Sequence, residues 1–432
     1  MIVNITKVPM QIKNAIVVHE SVFFDMDVIP RRMILQIGSW RREVEVELSS
    51  DITKNVIALS NQMHVPFDFP ENIPFDVTMT NRVIHVGPVI GLIAFREERE
   101  MDLHAIQKFK DYVVNYVNLR GLLYICAADS ISFSNQTVKG YVYQPDQKSD
   151  QPSFQLSTFP LPDVFINKVR LDEPVVEQLI SSHGEKLVNS YVWNYRELEE
   201  WLSSYPSISS HLLSMNQLTT LENLDEMLNM HETVVLKPIH LRSNCMEYKV
   251  KKLKNRYQWI NQWKVYSYSK DEATVLFSKL IPEEPFLIQP LISSINKEGN
   301  SYILRAFLQK NRSKHWRCSA IVSDFKGAEE FSLTGQEILR NAFHLNEREV
   351  FLKEQEIITL CHSVCQLIEK CYGTYADLCV TMKIDEDLNL WLLDIDPLYE
   401  HQMLSESIQD QQTYFNIVTA PLEYAKSLSG FL

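Results

Sequence analysis

The segment Leu390-Trp391-Leu392-Leu393-Asp394-Ile395-Asp396-Pro397 has the pattern of an apolar strand that ends in two carboxylates and a proline. Side chains alternate along a strand, so Asp394 and Asp396 are predicted to share the face opposite Ile395. Paired carboxylates suit Mg²⁺, which takes one or two protein carboxylates and fills its other positions with phosphate and water. A strand end rich in acids is also an ordinary solvated end, and this segment alone leaves both interpretations open.

Length, composition and charge describe an acidic, globular chain. Its 432 residues are enough for two or three domains, and a hydrophobic content of 45% supplies packed cores. The formal net charge of -13 argues against a general binder of nucleic acids or anionic membranes, because both present negative phosphate groups. Since no apolar run approaches about 18 residues, we expect no membrane-spanning segment.

The cysteines and the N-terminus indicate an intracellular setting. The 7 cysteines are odd in number and lie in apolar segments, so we expect reduced thiols. Residues 1–14 carry no continuous apolar stretch of the signal-peptide type, so we do not expect secretion by a signal peptide. The expected location is the cytoplasm, or a cell-derived compartment such as a spore.

Three units are predicted along the chain. Residues 1–82 alternate apolar and polar side chains in the strand period and indicate a small β-rich domain. Residues 83–171 are predicted to form an α/β domain, which would begin with an apolar strand interrupted at Gly87-Pro88. A helical pattern follows over residues 103–119, and residues 122–127 have the pattern of a buried strand.

The third unit, residues 172–432, is predicted to mix helices and strands. Strands are expected at 233–236, 286–292 and 303–309, followed by a hairpin of 378–384 and 390–396. A long helix is expected from about Glu349 to Cys371. Cys361 and Cys365 could be metal ligands, but both fall on the apolar stripe of this helix, so we interpret them as core residues. Basic residues between 249 and 256 favour a solvated strand face over a phosphate-facing patch.

Several short segments, in a fixed order, resemble one family. They are Ile37-Gly38-Ser39, Gly87-Pro88-Val89-Ile90-Gly91, Pro160-Leu161-Pro162-Asp163-Val164, Val235-Leu236-Lys237-Pro238, Phe286-Leu287-Ile288-Gln289, Arg305 with Gln309-Lys310-Asn311 and Trp316, and the C-terminal Trp391–Pro397. Together they resemble the YheC/YheD endospore coat-associated proteins of the ATP-grasp superfamily. This resemblance implies an α+β fold, in which an ATP-grasp fold of two α+β subdomains follows a small β-rich domain and an α/β pre-ATP-grasp domain.

The resemblance also implies a nucleotide between the two α+β subdomains, with ATP and Mg²⁺ as cofactors. A lysine is expected on the phosphates, a strand-end hinge against adenine, and acidic side chains on the metal. The positions that match are Lys237, Arg242, Gln289, Leu291 and Ile292 toward the nucleotide, Arg305 and Lys310 toward catalysis, and Asp394 and Asp396 toward Mg²⁺. For Lys237 the alternative is a solvated strand terminus, and for the two catalytic candidates it is surface ion pairing.

The departures from the family pattern lie at positions that are expected to contact phosphate or metal. After Lys237-Pro238 the family has a Gly-Ser-x-Gly-type loop, whereas residues 239–245 contain no glycine to curl backbone amides around phosphate. Arg242 is expected to offset part of this loss by its charge. Thr381 replaces the aspartate expected as the earlier magnesium ligand, and the two later ligands replace a glutamate and an asparagine.

Three hypotheses follow. The first is a divergent ATP-grasp protein that binds Mg-ATP with weak or no ligase turnover and serves in the spore beside other coat proteins. The second is an active ATP-dependent ligase that joins a carboxylate to an amine through an acylphosphate. The third is a spore scaffold without nucleotide, suggested by the missing glycines and by Thr381. The sequence favours the first, although fold alone does not separate them, because one scaffold hosts active and inert members.

Overall fold

The N-terminal strands close into a barrel. The computed structural model of the protein describes residues 1–23, 30–69, 73–113, 116–144, 153–239, 247–261, 264–283, 285–292, 302–325, 332–400, 404, 408 and 410–431. The barrel strands are β1 (Ile2–Val8), β2 (Ala15–Val18), β3 (Arg32–Ile37), β4 (Trp40–Leu48), β5 (Val56–Ser60), β6 (Phe75–Thr80) and β7 (Val83–Gly87). Their order is β1-β5-β2-β4-β3-β7-β6, and β6 pairs with β1 to close the ring. Alternate side chains such as Met33, Leu35 and Ile37 are buried, as the strand period predicts.

A second sheet follows directly. Its strands are β8 (Val89–Phe95), β9 (Leu122–Ser132), β10 (Thr137–Gln144), β11 (Ser153–Pro160), β12 (Val164–Asn167) and β13 (Leu187–Val188), in the order β11-β10-β9-β8-β12-β13. The parallel pairing of β8 with β9 and with β12 confirms the predicted α/β character. The apolar stretch after Val83 therefore supplies two strands in different sheets, which meet at the cis Gly87–Pro88 bond.

The helical pattern predicted over residues 103–119 is broken in the structure. Among the described residues of this range, only α1 (Leu103–Gln107) and α2 (Tyr116–Leu119) are α-helical, with a 3-10 turn at Lys110–Val113 between them. Tyr112 and Val113 are both buried. The 3-10 turn thus takes the place of a continuous helix and buries two consecutive side chains in the core.

Two further sheets form the C-terminal half. The central sheet contains β14 (Asn216–Leu218), β15 (Thr233–Pro238), β16 (Tyr248–Leu253), β17 (Arg256–Ile260), β18 (Val265–Ser269) and β19 (Phe286–Pro290), in the order β14-β19-β15-β16-β17-β18. The C-terminal sheet contains β20 (Tyr302–Lys310), β21 (Trp316–Phe325), β22 (Ser332–Thr334), β23 (Asp377–Ile384) and β24 (Leu390–Asp396), in the order β22-β21-β20-β23-β24. The antiparallel pairing of β23 with β24 confirms the predicted hairpin.

Helices pack against these two sheets and against the second sheet. They are α3 (Glu173–His183), α4 (Tyr195–Ser203), α5 (Pro206–Ser209), α6 (Leu221–Met230), α7 (Lys270–Glu283), α8 (Gly335–Asn341), α9 (Glu347–Tyr372) and α10 (Gln411–Leu428). The side chain of Asn346 caps α9 by accepting from the backbone of Glu349 at 3.1 Å, and Gly373 ends the helix at a φ of 115°. Cys361 and Cys365 are fully buried on its inner stripe, as predicted.

The last helix joins the two halves of the chain. Helix α10 packs against β20 of the C-terminal sheet and against β12 of the second sheet. Lys426 on α10 donates to the Asp76 carboxylate of the barrel at 2.5 Å, and Phe431 lies buried against the ring of His85. No helix within the described ranges is long and apolar enough to cross a membrane. The domain bounds 1–82, 83–171 and 172–432 stay a prediction.

Candidate functional site

The central sheet turns one face toward the helices α6 and α7 and the other toward the C-terminal sheet. The region between the two sheets, beside Lys237 and the end of β24, is called the cleft. Val234 and Leu236 of β15 pack into the core formed with α6 and α7. Because side chains alternate along a strand, Lys237 points to the opposite face. Gln289 of β19 pairs in register with Val235, two residues before Lys237, and therefore lies on the Lys237 face. The sheet thus brings a lysine and an amide to one polar surface.

Lys237 is held firmly in the cleft. Its ammonium donates to the Leu393 carbonyl at 3.2 Å and lies 3.6 Å from the Glu247 carboxylate. It also stands over the ring of Tyr195, 4.9 Å from the ring centroid. Only 5% of the Lys237 side chain is exposed. The hydrogen bond to Leu393 places this ammonium directly beside the end of β24.

A bulge in β24 aims the two carboxylates. The register with β23 passes over Leu393, so one residue of β24 has no counterpart. Leu392 and Ile395, on either side of the bulge, both pack into the core against α9. Asp394 and Asp396 therefore point away from α9, toward the cleft that holds Lys237. A regular strand of the same sequence without a bulge would turn both acids to the side of Leu392, because residues 392, 394 and 396 would share one face.

The two carboxylates are partly buried and only half satisfied. Asp394 Oδ1 accepts from the backbone of Ile395 at 2.8 Å, and Asp396 Oδ1 accepts from the backbone of Leu398 at 2.7 Å. No donor among the described residues reaches either Oδ2 atom. Burial raises the pKa of Asp394 to about 6, against the opposing charge of Lys237, and burial also raises the pKa of Asp396.

This donor set suits a hard cation. Each acid keeps one oxygen available, and Mg²⁺ needs only one or two protein carboxylates when phosphate and water complete its shell. Within the described ranges no group of three or more His, Cys, Asp or Glu side chains is placed to hold a metal ion. Thr381 lies in register with Asp394 on the neighbouring strand, so a hydroxyl stands beside the two acids where a third carboxylate could have been.

Arg305 and Lys310, both predicted to be catalytic, lie on opposite faces of β20. They are five positions apart, and an odd spacing on a strand reverses the face. Arg305 lies on the cleft side, where its charge acts on the pKa of Asp396. Lys310 pairs with Glu369 of α9 and donates to the Tyr424 hydroxyl at 3.1 Å. The structure therefore does not bring Lys310 to the cleft but buries it in an ion pair.

The predicted hinge lies at the end of β19, beside the cleft. The Leu291 amide donates to the Thr233 carbonyl at 3.1 Å, which continues the pairing with β15. The Ile292 carbonyl accepts from Lys383 Nζ of the C-terminal sheet at 2.7 Å. Burial, with a smaller effect from the charge of Lys249, lowers the pKa of Lys383 to about 8. Lys383 thus links the two sheets across the hinge.

The family assignment agrees with this architecture. A family model described as YheC/D-like ATP-grasp matches residues 184–428, which is more than half of the chain. The chain belongs to the YheC/D-like ATP-grasp family. Its α+β ATP-grasp fold is the one that the sequence predicts, and the matched residues include the central sheet, the C-terminal sheet and the cleft between them.

Solved structures similar to this YheC/D-like chain are distant in sequence. A RimK domain ATP-grasp protein from Sphaerobacter thermophilus DSM 20745 is 11% identical, with a TM-score of 0.42, covering 78% of this chain and 98% of that one. An N5-carboxyaminoimidazole ribonucleotide synthetase from Thermotoga maritima is 11% identical, with a TM-score of 0.41, covering 80% and 76%. The Staphylococcus aureus N5-carboxyaminoimidazole synthetase complexed with ADP is 9% identical, with a TM-score of 0.44, covering 78% and 77%. No curated protein matches the sequence.

Several cleft residues of this YheC/D-like protein were not foreseen from the sequence. Tyr195 and Glu247 contact Lys237 from α4 and from the start of β16, far apart in the chain, so no local pattern identifies them. Lys383 could have been found, because it lies two residues after Thr381 on the same predicted strand and hence on the same face. Arg242 falls outside the described residues, so its predicted role stays a prediction.

Proposed function

We propose that this YheC/D-like protein binds ATP with Mg²⁺ in the cleft between the central and C-terminal sheets and has little or no ligase turnover. The observation that carries the proposal is the approach of Lys237 to the strand end that carries Asp394 and Asp396, through its hydrogen bond to the carbonyl of Leu393, the residue before Asp394. A buried ammonium beside two half-satisfied carboxylates is suited to a phosphate group neutralised from both sides.

In this proposal each charged group has one role. Lys237 contacts phosphate oxygens, and its contact with Glu247 loosens when a stronger anion arrives. Asp394 and Asp396 each offer Oδ2 to Mg²⁺, which when bound neutralises charge on the phosphates. Arg305, on the same sheet face, adds a positive charge toward the transferred group. Gln289, Leu291 and Ile292 lie along the edge proposed for adenine.

Weak turnover is proposed from the composition of the same cleft. Thr381 lies in register with Asp394, so the metal site has two carboxylates where a third could have stood. Residues 239–245 lack the glycines that let consecutive amides surround a phosphate. Losing one preorganised donor costs about 3 kcal/mol of transition-state stabilisation, which corresponds to more than a hundredfold in rate.

A specific observation supports a second candidate. Arg305 is retained on the cleft face and interacts with Asp396, the position from which it could contact a reacting phosphoryl group. This favours an active ATP-dependent ligase that joins a carboxylate to an amine. The two candidates share the nucleotide site and differ only in turnover.

Spore association is a further part of the proposal. It rests on the resemblance to endospore coat-associated proteins, and it implies other coat proteins as partners. Immunodetection in coat extracts of purified spores, compared with vegetative cells, tests this part. Equal signal in vegetative cytoplasm and none in the coat would remove it without affecting the nucleotide site.

Isothermal titration calorimetry with ATP and Mg²⁺ tests the nucleotide site. We expect Lys237→Ala to abolish measurable binding and Asp394→Ala to remove the enhancement of ATP affinity by Mg²⁺. Lys252→Ala is the matched control, because Lys252 lies in the same sheet but pairs with Asp225 on the helix side. No heat and no thermal shift with the wild-type protein would leave only a scaffold without nucleotide.

Turnover is tested by following ADP release with candidate carboxylates and amines. We expect release no faster than in the absence of acceptor, and we expect Thr381→Asp to tighten Mg²⁺ binding by restoring a third carboxylate. Acceptor-dependent ADP release by the wild-type protein, lost in Arg305→Ala, would establish the ligase candidate instead.

A further inference from the structure

A second cavity lies far from the cleft, between the barrel and the second sheet. Its volume is about 540 Å³, within the range of small-molecule sites. It is lined by Gln36, Gly38, Ser39, Arg41, Phe133, Gln136, Leu161, Pro162, Asp163, Ser182, His183 and Lys186. The cavity and the ATP-grasp half lie at opposite ends of strand β12. Asp163, which lines the cavity, precedes the strand, whereas Lys168 follows it and pairs with Asp377 of β23. Four strand residues span about 13 Å.

Two of the segments that carry the family resemblance build one wall of this cavity. Gly38 has a φ of 55°, and a Cβ placed there would lie 2.3 Å from the Leu161 carbonyl oxygen. This close approach lets the Ser39 amide donate to the same carbonyl at 2.9 Å. A turn of the barrel and the loop before β12 are therefore locked together at the cavity rim, which makes this wall preorganised.

The one acid among the lining residues is fully engaged. Asp163 Oδ1 lies 2.9 Å from His85 Nε2 of the barrel, and Asp163 Oδ2 accepts from the Val89 amide at 2.8 Å. Its side chain is only 2% exposed. Asp163 thus holds the barrel against the second sheet and offers no oxygen to a bound cation.

The remaining charged groups of the cavity are cations. Arg41 donates from Nε to Gln36 at 3.0 Å, which leaves the two terminal nitrogens of its guanidinium for another acceptor. Lys186 lines the cavity from the 3-10 turn Gly184–Lys186, an element of the chain distant from β4. Neither cation has a carboxylate partner in the part of the chain that the structure describes. Burial lowers the pKa of His183, against the opposing effect of its hydrogen bond to the Pro162 carbonyl, so the ring is uncharged near neutral pH.

We propose that this cavity binds a small organic anion carrying a phosphate or carboxylate group. Arg41 and Lys186 hold the anionic group from two sides. The hydroxyl of Ser39 and the amide of Gln136 serve polar substituents, while Phe133, Leu161 and Pro162 cover the carbon skeleton. Because the cavity shares no lining residue with the cleft, this site is independent of nucleotide binding.

The test is calorimetric titration of the full chain with 3-phosphoglycerate and with succinate, in the presence of saturating Mg-ATP so that the cleft is occupied. Glycerol is the uncharged control probe. The variants are Arg41→Ala, Lys186→Ala and the charge reversal Arg41→Glu with Lys186→Glu. Lys7→Glu with Lys54→Glu is the matched control, since it makes the same charge change on exposed barrel residues outside the cavity.

We expect at least one anionic probe to bind and glycerol not to bind. Each single alanine variant should weaken binding about tenfold to a hundredfold, and the charge reversal should abolish it, because a charged hydrogen bond is lost in each case. The matched control should bind as the wild-type protein does. Absence of binding by both anions, or equal weakening in the matched control, would overturn the proposal. Phosphate-selective or carboxylate-selective binding identifies which anion the site prefers.

Discussion

Replacing Asp394 by asparagine should stabilise the protein in the absence of metal, even though the residue lies in the proposed site. The cause is the burial that raises the pKa of Asp394 from its ordinary 3.8 to about 6. At neutral pH the carboxylate is ionised in both the folded and the unfolded states, and the folded state carries the cost. Asparagine keeps the Oδ1 acceptor for the Ile395 amide but removes the charge.

The size of the stabilisation by Asp394→Asn and its pH range follow from the raised pKa of Asp394. One pKa unit is worth about 1.4 kcal/mol, so the free energy of unfolding should rise by at most about 3 kcal/mol at pH 7. Because the folded pKa is raised, the wild-type protein has its full stability from this group below about pH 4 and loses it as the pH rises through about 6. The advantage of Asp394→Asn should therefore vanish in acid.

Urea denaturation in EDTA at several pH values between about 4 and 7 measures this difference. Asp385→Asn on the same hairpin is the control of opposite sign. Burial opposes ionisation of Asp385, but hydrogen bonds from Trp391, Asn389 and Asp387 outweigh it and lower its pKa. A destabilisation by Asp394→Asn at pH 7, or a difference that does not change with pH, would refute the electrostatic reasoning about this cleft.

Three further predictions concern neighbouring groups. The affinity for Mg²⁺ in the presence of ATP should fall about tenfold per pH unit below about 6, because Asp394 must lose its proton to bind, and titrations across that range measure it. Lys310→Ala should destabilise the protein by about 3 kcal/mol, because Glu369 loses its buried cation and keeps only the hydrogen bond from Trp316, yet ATP affinity should be unchanged in calorimetry. Since the pKa of Lys383 is lowered, the stability of the wild-type protein relative to Lys383→Met should increase as the pH rises through about 8, and a rise on acidification would contradict the burial of this ammonium.

Local sequence patterns predicted much of the secondary structure of the C-terminal half. The period of the apolar residues predicted α9 and the hairpin of β23 and β24, because each element has one continuous buried face. The placement of Asp394 and Asp396 opposite Ile395 is confirmed, but strict alternation alone would have set them on the side of Leu392. The bulge at Leu393 shifts the alternation by one residue, so that Leu392 and Ile395 share the core face. The sequence pattern does not predict a bulge that contains no glycine.

The remaining differences arise from tertiary contacts. Arg305 and Lys310 were grouped by resemblance, although their odd spacing on one strand already contained the signal that they face apart. The 3-10 turn before Tyr116 is tied to a distant element, because the Asp111 carboxylate accepts from the Tyr414 hydroxyl of α10, and no local pattern shows that contact. Glu247 reaches Lys237 because it precedes β16, which pairs antiparallel with β15.

The position of α10 has a consequence for synthesis on the ribosome. Its residues 411–428 complete a hydrophobic cluster that begins in the first strand, and Lys426 neutralises Asp76 some 350 positions upstream. Apolar surface of the barrel and of the second sheet therefore stays exposed until nearly the whole polypeptide has been translated. A nascent chain stalled before this point would be a natural client for chaperones that shield exposed hydrophobic surface.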